Sequence, residues 1–412
     1  LALQSKWHVR QLDVLNAFLH GDLEDTMFME QPPGFVNPSF PHHICKLRKA
    51  IYGLKQAPRQ WFATFSGFLL DHGFTQSTAD SSLFIFQQND VFLYLPIYVD
   101  DILFTGNDAQ AMSSFFLQLQ GRFHMKDLGH VSHFLGIQAQ YSDIGLPLNQ
   151  RTYAAQVLNK AGMTDCKPVL SPLPTKIASS THSNKNFTDP EFYRSIAGSL
   201  QYLTITRPDI SFAVNFVFQF MHSPKVLHFQ LLKRILRYVK GTTDLSLQFR
   251  PDSFDLSAFS DSEGDTSDRR SSIGFCIFVG SNPVSWHAKK QPTVARSSTE
   301  AEYRALAVTI SEILWLRRLL RKLHMLSPTT PTKLYYDNVS AMALASNPVF
   351  HARTKHIEVD YHFVREKVHS GEICLAHISS QDQPADVFTK ALSAARHNLL
   401  CSKLMALLDP SA

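Results

Sequence analysis

The sequence predicts an α+β protein in which an antiparallel sheet with helices is followed by a helical segment and a mixed-sheet α/β region. Apolar runs over Leu83–Gln88 and Val91–Val99 flank the turn pair Asn89-Asp90, a pattern typical of a hairpin. Beyond residue 250, short apolar strands alternate with long helices, as in a mixed sheet. A length of 412 residues also exceeds one ordinary core. We therefore predict domains over 1–165, 193–250 and 251–412, with a linker over 166–192.

Apolar patterning defines the elements of the first domain. A strand ends at Asp13, and amphipathic helices are predicted over Pro58–Gly73, Asp108–Arg122 and Gln150–Gly162. In the first of these helices, the side chains expected to point inward are Trp61, Phe62, Phe65, Leu69 and Leu70. The linker is predicted because several prolines follow one another among polar residues, namely Pro168, Pro172, Pro174 and Pro190.

The helical segment ends in a helix over His228–Lys240 that carries a basic stripe. Its cations are Lys233, Arg234, Arg237 and Lys240, and they lie opposite an apolar face. A solvated surface is one explanation of such a stripe. Contact with a nucleic-acid backbone is the other, and it makes Lys233 and Arg237 predicted substrate-binding residues.

Strands and helices of the last domain are predicted in turn along the chain. The strands are Leu256–Ser260, Ser272–Val279, Pro283–Ala288, Lys333–Tyr336 and Ile373–Ile378, and the helices are Ser298–Leu323 and Lys355–His369. Together they predict a mixed sheet flanked by helices.

Composition is that of a globular protein, with 44% hydrophobic and 18% charged residues. The net charge of +5 suits a polyanionic partner, although the excess is mild for this length. The five cysteines include no C-x-x-C pair, which favours reduced thiols in an intracellular protein over a zinc site. No apolar run approaches the ~20 residues of a membrane span, so no membrane partner is expected.

The most specific signal is the pair Asp100-Asp101, which follows the apolar run Val91–Val99. Two adjacent carboxylates repel one another and lose solvation at the end of such a strand unless a cation is bound. Their hard oxygen ligands suit Mg²⁺. A turn that carries two acids without a metal is the alternative. A second apolar segment holds Asp13, and a two-metal site needs carboxylates from separate strands.

Three ordered motifs resemble the reverse transcriptase of copia-type LTR retrotransposons: Asp13-x4-Phe18, Leu54-Lys-Gln-Ala-Pro-Arg-Gln-Trp61 and Tyr98-Val-Asp-Asp101. The resemblance implies a polymerase palm in which Asp13 and Asp100 bind two Mg²⁺ ions, or Mn²⁺, with Asp101 as a less direct catalytic partner. It implies that Phe18 blocks a ribose 2′-OH. It also implies that the template and nucleotide pocket is lined by Tyr52, Gly53, Lys55 and Gln56. The implied substrates are an RNA template, an RNA–DNA hybrid and deoxynucleoside triphosphates.

Four acids mark strand or helix ends beyond residue 250: Asp261, Glu302, Asp337 and Asp386. Each alone is more often a surface charge, but a two-metal nuclease needs such a cluster to activate water and to stabilise the leaving oxygen. With Ser298-Thr-Glu-Ala-Glu302 and Asp382-Gln-Pro-Ala-Asp386, they resemble the ribonuclease H that follows a copia-type polymerase. That resemblance implies that all four are catalytic metal ligands, with two Mg²⁺ ions bound.

Basic and histidine side chains near these acids allow further interpretations. Lys289, Lys290 and Arg296 are predicted to contact the phosphates of a hybrid. His377 is either a proton shuttle or a strand-end histidine without a role. A zinc site formed by His351–His356 with His362 is disfavoured, because its spacing fits no zinc motif.

The sequence departs from the family at four places. Twelve residues precede Asp13, too few for the fingers region, and Leu15 stands where lysine is usual. Pro96 removes a ladder donor from a strand unless that strand is an edge. The stretch Asp261–Asp265 is two residues shorter than in the family, which should tighten the first nuclease hairpin and displace Asp261. We therefore expect polymerase activity to be lost and nuclease activity to be weak.

The resemblance identifies the chain as a copia-type Pol fragment with a palm, a helical connection and a ribonuclease H domain. A non-catalytic nucleic-acid-binding relic is the main alternative, and a host metal-dependent nuclease is disfavoured by the polymerase motifs. By family analogy, we expect the protein in cytoplasmic virus-like particles or in the nucleus. Integrase and protease segments of the same polyprotein are candidate partners.

Overall fold

The computed structural model of the protein describes residues 1–142, 145–177, 183–264, 269–295, 297–325, 330–339, 342 and 358–408. The chain divides into two compact units, residues 1–135 and 136–412. The predicted limits at residues 165, 192 and 250 all fall inside the second unit and stay predictions. Within the described ranges, no helix is both long and apolar enough to cross a membrane.

The first unit is built on an antiparallel sheet. Its strands are β1 (Val9–Val14), β2 (Phe28–Glu30), β3 (Ile44–Lys46), β4 (Phe74–Gln76), β5 (Leu83–Gln88), β6 (Val91–Tyr98), β7 (Asp101–Gly106), β8 (Met125–His130) and β9 (His133–Phe134). Six of them form one sheet in the order β4-β5-β6-β7-β1-β8, and β2 pairs with β3 separately. The predicted hairpin is β5–β6, and Asn89 in its turn has a left-handed φ of 52°. Because β6 pairs on both sides, Pro96 lies in an internal strand and not at an edge.

The helices of the first unit are α1 (Ala2–Ser5), α2 (Ala57–Asp71) and α3 (Ala109–Arg122), with a 3₁₀ turn over Ala17–His20. Proline in the first turn of α2 is tolerated because it lacks a backbone N–H at a position where an N–H would have no intrahelical acceptor. Trp61, Phe65 and Leu69 of α2 are buried in the core of this unit. The prediction that Leu70 points inward is wrong: Leu70 is 51% exposed because it lies one position past the buried i, i+4, i+8 row.

The second unit contains two further sheets and seven described helices. Its strands are β10 (Ile137–Ala139), β11 (Leu146–Asn149), β12 (Leu245–Phe249), β13 (Leu256–Gly264), β14 (Ser271–Val279), β15 (Asn282–Lys290), β16 (Thr332–Tyr336), β17 (Ile373–His377) and β18 (Ala406–Leu407). Its helices are α4 (Arg151–Lys160), α5 (Pro190–Leu203), α6 (Ser211–Phe218), α7 (Val226–Gly241), α8 (Ser298–Lys322), α9 (Glu358–His369) and α10 (Ala394–Cys401). Short 3₁₀ turns cover Pro208–Ile210 and Pro384–Phe388.

Helices α4 to α7 pack around a common apolar core that includes Tyr193, Leu200 and Ile235. The described part of the predicted linker packs on α7, where Leu173 is buried in the same core. Beside it, β10, β11, β12 and β18 form an antiparallel sheet in the order β18-β12-β11-β10. The helical segment is therefore joined by strand pairing to residues near both ends of the second unit.

The remaining sheet is mixed, as predicted. Its strand order is β15-β14-β13-β16-β17, with β13, β14 and β15 antiparallel and with β16 and β17 parallel to β13 and to each other. Helix α8 packs on one face of the sheet through Tyr303, Leu306 and Ile310. The turn Pro384–Phe388 and α10 cover residues of β14 in a separate apolar cluster. This layering places the ends of β13 and β16 near α8 and near the turn that holds Asp386.

A buried ionic network lies where the helical segment meets α10. The Arg207 guanidinium donates to both carboxylate oxygens of Asp209, at 2.9 and 2.7 Å. The Tyr238 hydroxyl donates to Asp209 at 2.8 Å, and the His397 ring lies 3.0 Å from the Asp209 carbonyl oxygen. Burial alone would raise the pKa of Asp209, but Arg207 and these hydrogen bonds lower it. The network therefore holds a fully paired charge in the interior.

Asp209→Asn should lower the free energy of unfolding of the second unit by about 3–5 kcal/mol, because it leaves the Arg207 charge buried without its partner. Urea unfolding followed by hydrogen exchange in α7 measures the change. The control is Asp382→Asn, which removes the ion pair between Asp382 and Lys403. The Asp382 side chain is 65% exposed. That variant should cost less than about 1 kcal/mol. Equal effects of the two substitutions would contradict this account.

Candidate active sites

The first unit brings three carboxylates together at the centre of its sheet. Asp13 in β1 is the direct cross-strand partner of Asp101 in β7, and Asp100 lies in the two-residue turn between β6 and β7. On the other side of β1, Asp13 is opposite Lys126 of β8. Direct cross-strand partners have Cβ atoms about 4.5–5.5 Å apart. Antiparallel pairing therefore places Asp13 beside the Asp100-Asp101 pair, although Asp13 and Asp100 are 87 residues apart in the sequence.

The electrostatics of this group favour a bound cation. Partial burial raises the pKa of Asp101, and the charges of Asp100 and Asp13 raise it further, while a hydrogen bond with Gln11 lowers it. Like charges held this close destabilise one another unless a positive charge is added. Carboxylate oxygens are also the protein ligands that Mg²⁺ prefers. The donor set of this site thus fits Mg²⁺.

The turn that carries Asp100 has an unusual backbone. Val99 has a φ of 57°, in the left-handed region that β-branched residues rarely adopt. Two hydrogen bonds secure the turn: the Trp61 indole N–H donates to the Val99 carbonyl at 2.7 Å, and the Val14 N–H donates to the Asp100 carbonyl at 3.0 Å. The sequence pattern assigned Trp61 only to the core. Its hydrogen bond to the Val99–Asp100 turn depends on tertiary packing and has no local signal.

Of the residues predicted to bind nucleotide, Tyr52 contacts this turn and Phe18 contacts Tyr52. Phe18 is buried, and its ring centroid is 4.3 Å from that of Tyr52. The Tyr52 hydroxyl donates to an Asp100 carboxylate oxygen at 3.4 Å, a long hydrogen bond. Gly53 has a φ of 97°, which favours glycine, and it lies in the turn before α2 together with Lys55 and Gln56. The fold therefore brings Phe18 and Tyr52 to the carboxylates, and Lys55 is exposed in the adjoining turn.

Trp61→Phe should loosen the Val99–Asp100 turn, because it keeps an aromatic ring in the core but leaves the Val99 carbonyl without its donor. We expect hydrogen exchange of the Val14 amide, which bonds to the same turn, to accelerate by roughly tenfold, equivalent to ~1.4 kcal/mol. Trp7→Phe is the matched control, since Trp7 stacks on Tyr94 away from the turn. Unchanged Val14 exchange in Trp61→Phe would show that this hydrogen bond does not hold the turn.

The second unit gathers the other four acids from four elements around its mixed sheet. Asp261 lies in β13 opposite Gly274 of β14 and is 2% exposed. Glu302 lies in α8, Asp337 follows β16, and Asp386 lies in the 3₁₀ turn over Pro384–Phe388. The β13–β14 ladder is regular as far as Gly264 and Ser271, so the shortened loop leaves Asp261 within the sheet. Asp265, in that loop, lies outside the described residues.

Each of these acids has a defined partner. The Tyr336 hydroxyl donates to Glu302 at 2.8 Å, the Ser380 hydroxyl donates to Asp337 at 2.7 Å, and the Thr389 hydroxyl donates to Asp261.

The Lys390 ammonium lies 3.0 Å from a carboxylate oxygen of Asp386, 3.5 Å from Asp261 and 3.2 Å from Glu263. Arg396 lies 3.3 Å from Asp386. Lys390 and Thr389 were missed by sequence reasoning, although Lys390 is four residues after Asp386, a spacing that often pairs charges.

Burial and mutual repulsion shift the protonation of the cluster. Burial raises the pKa of Asp261 to about 6, with Lys390 opposing the shift and Asp386 adding to it. Burial also raises the pKa of Glu302 to about 9, and the charges of Asp261 and Asp337 contribute. These carboxylates therefore retain protons at a pH at which exposed acids are ionised. An added cation would favour their ionised forms.

The donor set is chemically suited to Mg²⁺, since it consists of carboxylates that interact electrostatically. Among the described residues, however, no group of three or more His, Cys, Asp or Glu side chains is arranged as a formed metal site. Lys390 supplies positive charge to the cluster instead. The carboxylates are therefore suited to the metal by their chemistry, and a lysine lies among them.

The remaining predicted residues have mixed placements. Lys289 and Lys290 lie at the end of β15, and His377 ends β17 opposite Tyr336. Arg296 and the segment His351–His356 lie outside the described residues.

On α7, Lys233 and Lys240 are exposed, whereas Arg234 donates to the Ser171 hydroxyl at 3.0 Å and Arg237 Nε donates to the Lys167 carbonyl at 2.6 Å. The basic stripe is thus partly engaged by the residues that follow Cys166.

An antiparallel sheet with a carboxylate pair in a tight turn is followed in the chain by a mixed sheet of order β15-β14-β13-β16-β17 with four acids around it. These features match the predicted fold class, a polymerase palm followed by a ribonuclease H-like domain. A family profile described as reverse transcriptase (RNA-dependent DNA polymerase) matches residues 1–175. The fold is similar to that of the foamy viral protease-reverse transcriptase solved with double-stranded DNA. That similarity has a TM-score of 0.51 and 12% identity, and it covers 90% of this chain and 57% of the other.

Sequence relatives identify the family more closely. The chain is 46% identical over 407 residues to the retrovirus-related Pol polyprotein from transposon RE1 of Arabidopsis thaliana, covering 98% of this chain and 28% of that protein. It is 31% identical over 308 residues to a Saccharomyces cerevisiae protein named for transposon Ty5-1, covering 73% of this chain and all of that protein. The chain belongs to the copia-type retrotransposon Pol family. It spans little more than a quarter of the RE1 polyprotein.

Proposed function

We propose that this part of Pol supplies two phosphoryl-transfer sites, one for RNA-templated DNA synthesis and one for cleavage of RNA in an RNA–DNA hybrid. The observation that supports the nuclease best is the convergence of Asp261, Glu302, Asp337 and Asp386 from four elements. Burial raises the pKa values of Asp261 and Glu302, and the charges of neighbouring acids in this group contribute to both shifts, which indicates that the acids share one electrostatic environment. When bound, Mg²⁺ would supply the charge that polarises phosphate and activates water.

In the proposed nuclease site, the chain orients the ligands. Tyr336 donates a hydrogen bond to one Glu302 oxygen, and Ser380 donates one to an Asp337 oxygen, so each carboxylate keeps its other oxygen for a metal ion. Such outer contacts fix the orientation of metal ligands. Lys289 and Lys290, at the end of β15, are proposed to bind hybrid phosphates. Selection of a hybrid over duplex DNA would come from helix shape and 2′-OH contacts.

In the proposed polymerase site, Asp13 and Asp100 would be the metal ligands, with Asp101 as their neighbour on β7. The rings of Phe18 and Tyr52 pack against each other at a tilt of 51° and form an apolar wall beside Asp100. We propose that this wall excludes a ribose 2′-OH and so favours deoxynucleoside triphosphates. Positioning of this kind accounts for much of the rate in well-oriented reactions.

Glu302→Gln and Asp337→Asn should each lower Mg²⁺-dependent cleavage of the RNA strand of a hybrid by about 100-fold or more, because each removes a ligand charge with little change in size. The measurement is cleavage of an end-labelled hybrid by the full chain, with a DNA duplex as the uncleaved reference. Asp244→Asn is the control, since Asp244 is exposed and pairs with Arg151 on the surface. Its activity should match the wild type.

Two outcomes would reject this function. Cleavage that survives Glu302→Gln or Asp337→Asn would show that these acids do not bind the catalytic metals. A folded wild-type protein that binds hybrid but never cleaves it, with Mg²⁺ or Mn²⁺, would support the alternative of a non-catalytic nucleic-acid-binding relic.

Salt dependence tests whether α7 contacts phosphates. Lys233→Gln with Lys240→Gln removes the two exposed cations of the stripe, so the slope of log affinity for hybrid against log salt should flatten by about one to two units. Arg237→Gln should change the slope less, because its guanidinium already bonds to Lys167. Fluorescence anisotropy over a salt series measures the slopes. An unchanged slope in the double variant would show that α7 is a solvated face.

A further inference from the structure

Lys390 is a cation of the second unit that contacts three carboxylates. Its ammonium group lies within 3.5 Å of carboxylate oxygens from Asp261, Asp386 and Glu263. Asp261 and Asp386 belong to the proposed nuclease site, whereas Glu263 does not. One lysine therefore joins two proposed metal ligands to an acid outside the ligand set.

The three acids that contact Lys390 differ in their exposure to solvent. The side chains of Asp261 and Asp386 are 4% and 8% exposed, and that of Glu263 is 48% exposed. Two ionised carboxylates in a buried position need a positive charge nearby. Lysine has a compact charge on a flexible stem, so its ammonium can shift between partners without a change in the backbone.

The spacing of the partners gives that shift a direction. Asp386 is four residues before Lys390, so the lysine remains beside the buried acids wherever the ammonium lies. Glu263 is two residues beyond Asp261 on β13, and successive odd-numbered residues of a strand point to the same face. The exposed Glu263 carboxylate already lies 3.2 Å from the ammonium, so it can keep the lysine on the solvent side of the same row when the lysine leaves the buried acids.

We propose that Lys390 is the resident counter-ion of the nuclease carboxylates. It neutralises Asp261 and Asp386 when no divalent cation is bound, and it moves toward Glu263 when one binds. Lys390 is thus a positioning residue that competes with the metal. This inference rests on the proposed function in one respect, namely that Asp261 and Asp386 are metal ligands.

Lys390→Gln tests the proposal in the full chain, with unfolding temperature and Mg²⁺ affinity as the readouts. In EDTA, the second unit of the variant should unfold at a lower temperature than wild type, and Mg²⁺ should restore much of the loss. Titration calorimetry should show that the variant binds Mg²⁺ roughly tenfold more tightly, because no ammonium has to be displaced. Lys403→Gln, which breaks the surface pair with Asp382, should change neither quantity.

Glu263→Gln provides a second test in the opposite direction and alters only an exposed side chain. Without its alternative partner, Lys390 should remain on the buried acids, so Mg²⁺ affinity should fall below that of wild type. Unchanged affinity in both variants, with Mg²⁺ still bound, would overturn the competition while leaving the proposed nuclease site intact. Absence of Mg²⁺ binding in wild type and in Lys390→Gln would overturn the metal site and the competition together.

Discussion

Repulsion between carboxylates that must lie close together is the constraint on which both sites depend. Asp13 and Asp101 are cross-strand neighbours, and Asp261 lies in a strand beside acids from three other elements. Neither arrangement would form spontaneously in a flexible chain, because ionised groups separate when they can. The sheets provide the necessary rigidity, because β1 and β13 are hydrogen-bonded to neighbouring strands on both sides and the backbones of these acids are therefore held in place.

The two sites hold their acids by different means. In the first unit, the backbone of the turn that carries Asp100 is held in place: Val99 has a left-handed φ, and Trp61 donates a hydrogen bond to its carbonyl. In the second unit, the means is electrostatic, because Lys390 and Arg396 lie among the acids. Strain at a turn is local and is offset by the packing of the surrounding core. A paired charge instead depends on the position of a mobile side chain, so this site can respond to solution conditions.

The sequence predicted the elements of the fold well, because each has a local signal. The β5–β6 hairpin follows from its turn pair, and the mixed sheet follows from alternating strands and helices. Leu70 was assigned to the wrong face because it lies one position past the helical row of Trp61, Phe65 and Leu69 that faces the core. The register of Asp13 opposite Asp101, the Trp61 hydrogen bond and the Lys390 contacts could not be predicted. Each joins residues through tertiary packing that local periodicity does not encode.

Strand β18 has a consequence for how the protein is made. Its Ala406 carbonyl accepts a hydrogen bond from the Ser246 hydroxyl, and it pairs with β12 across 160 residues of sequence. At a translation rate of about 5–20 residues per second, roughly 8–30 s separate the synthesis of these two partners. During that interval, the edge of β12 that β18 will cover presents unpaired backbone groups to other chains. The nascent chain is therefore open to mispairing, and to chaperone binding, at this edge until β18 has left the ribosome.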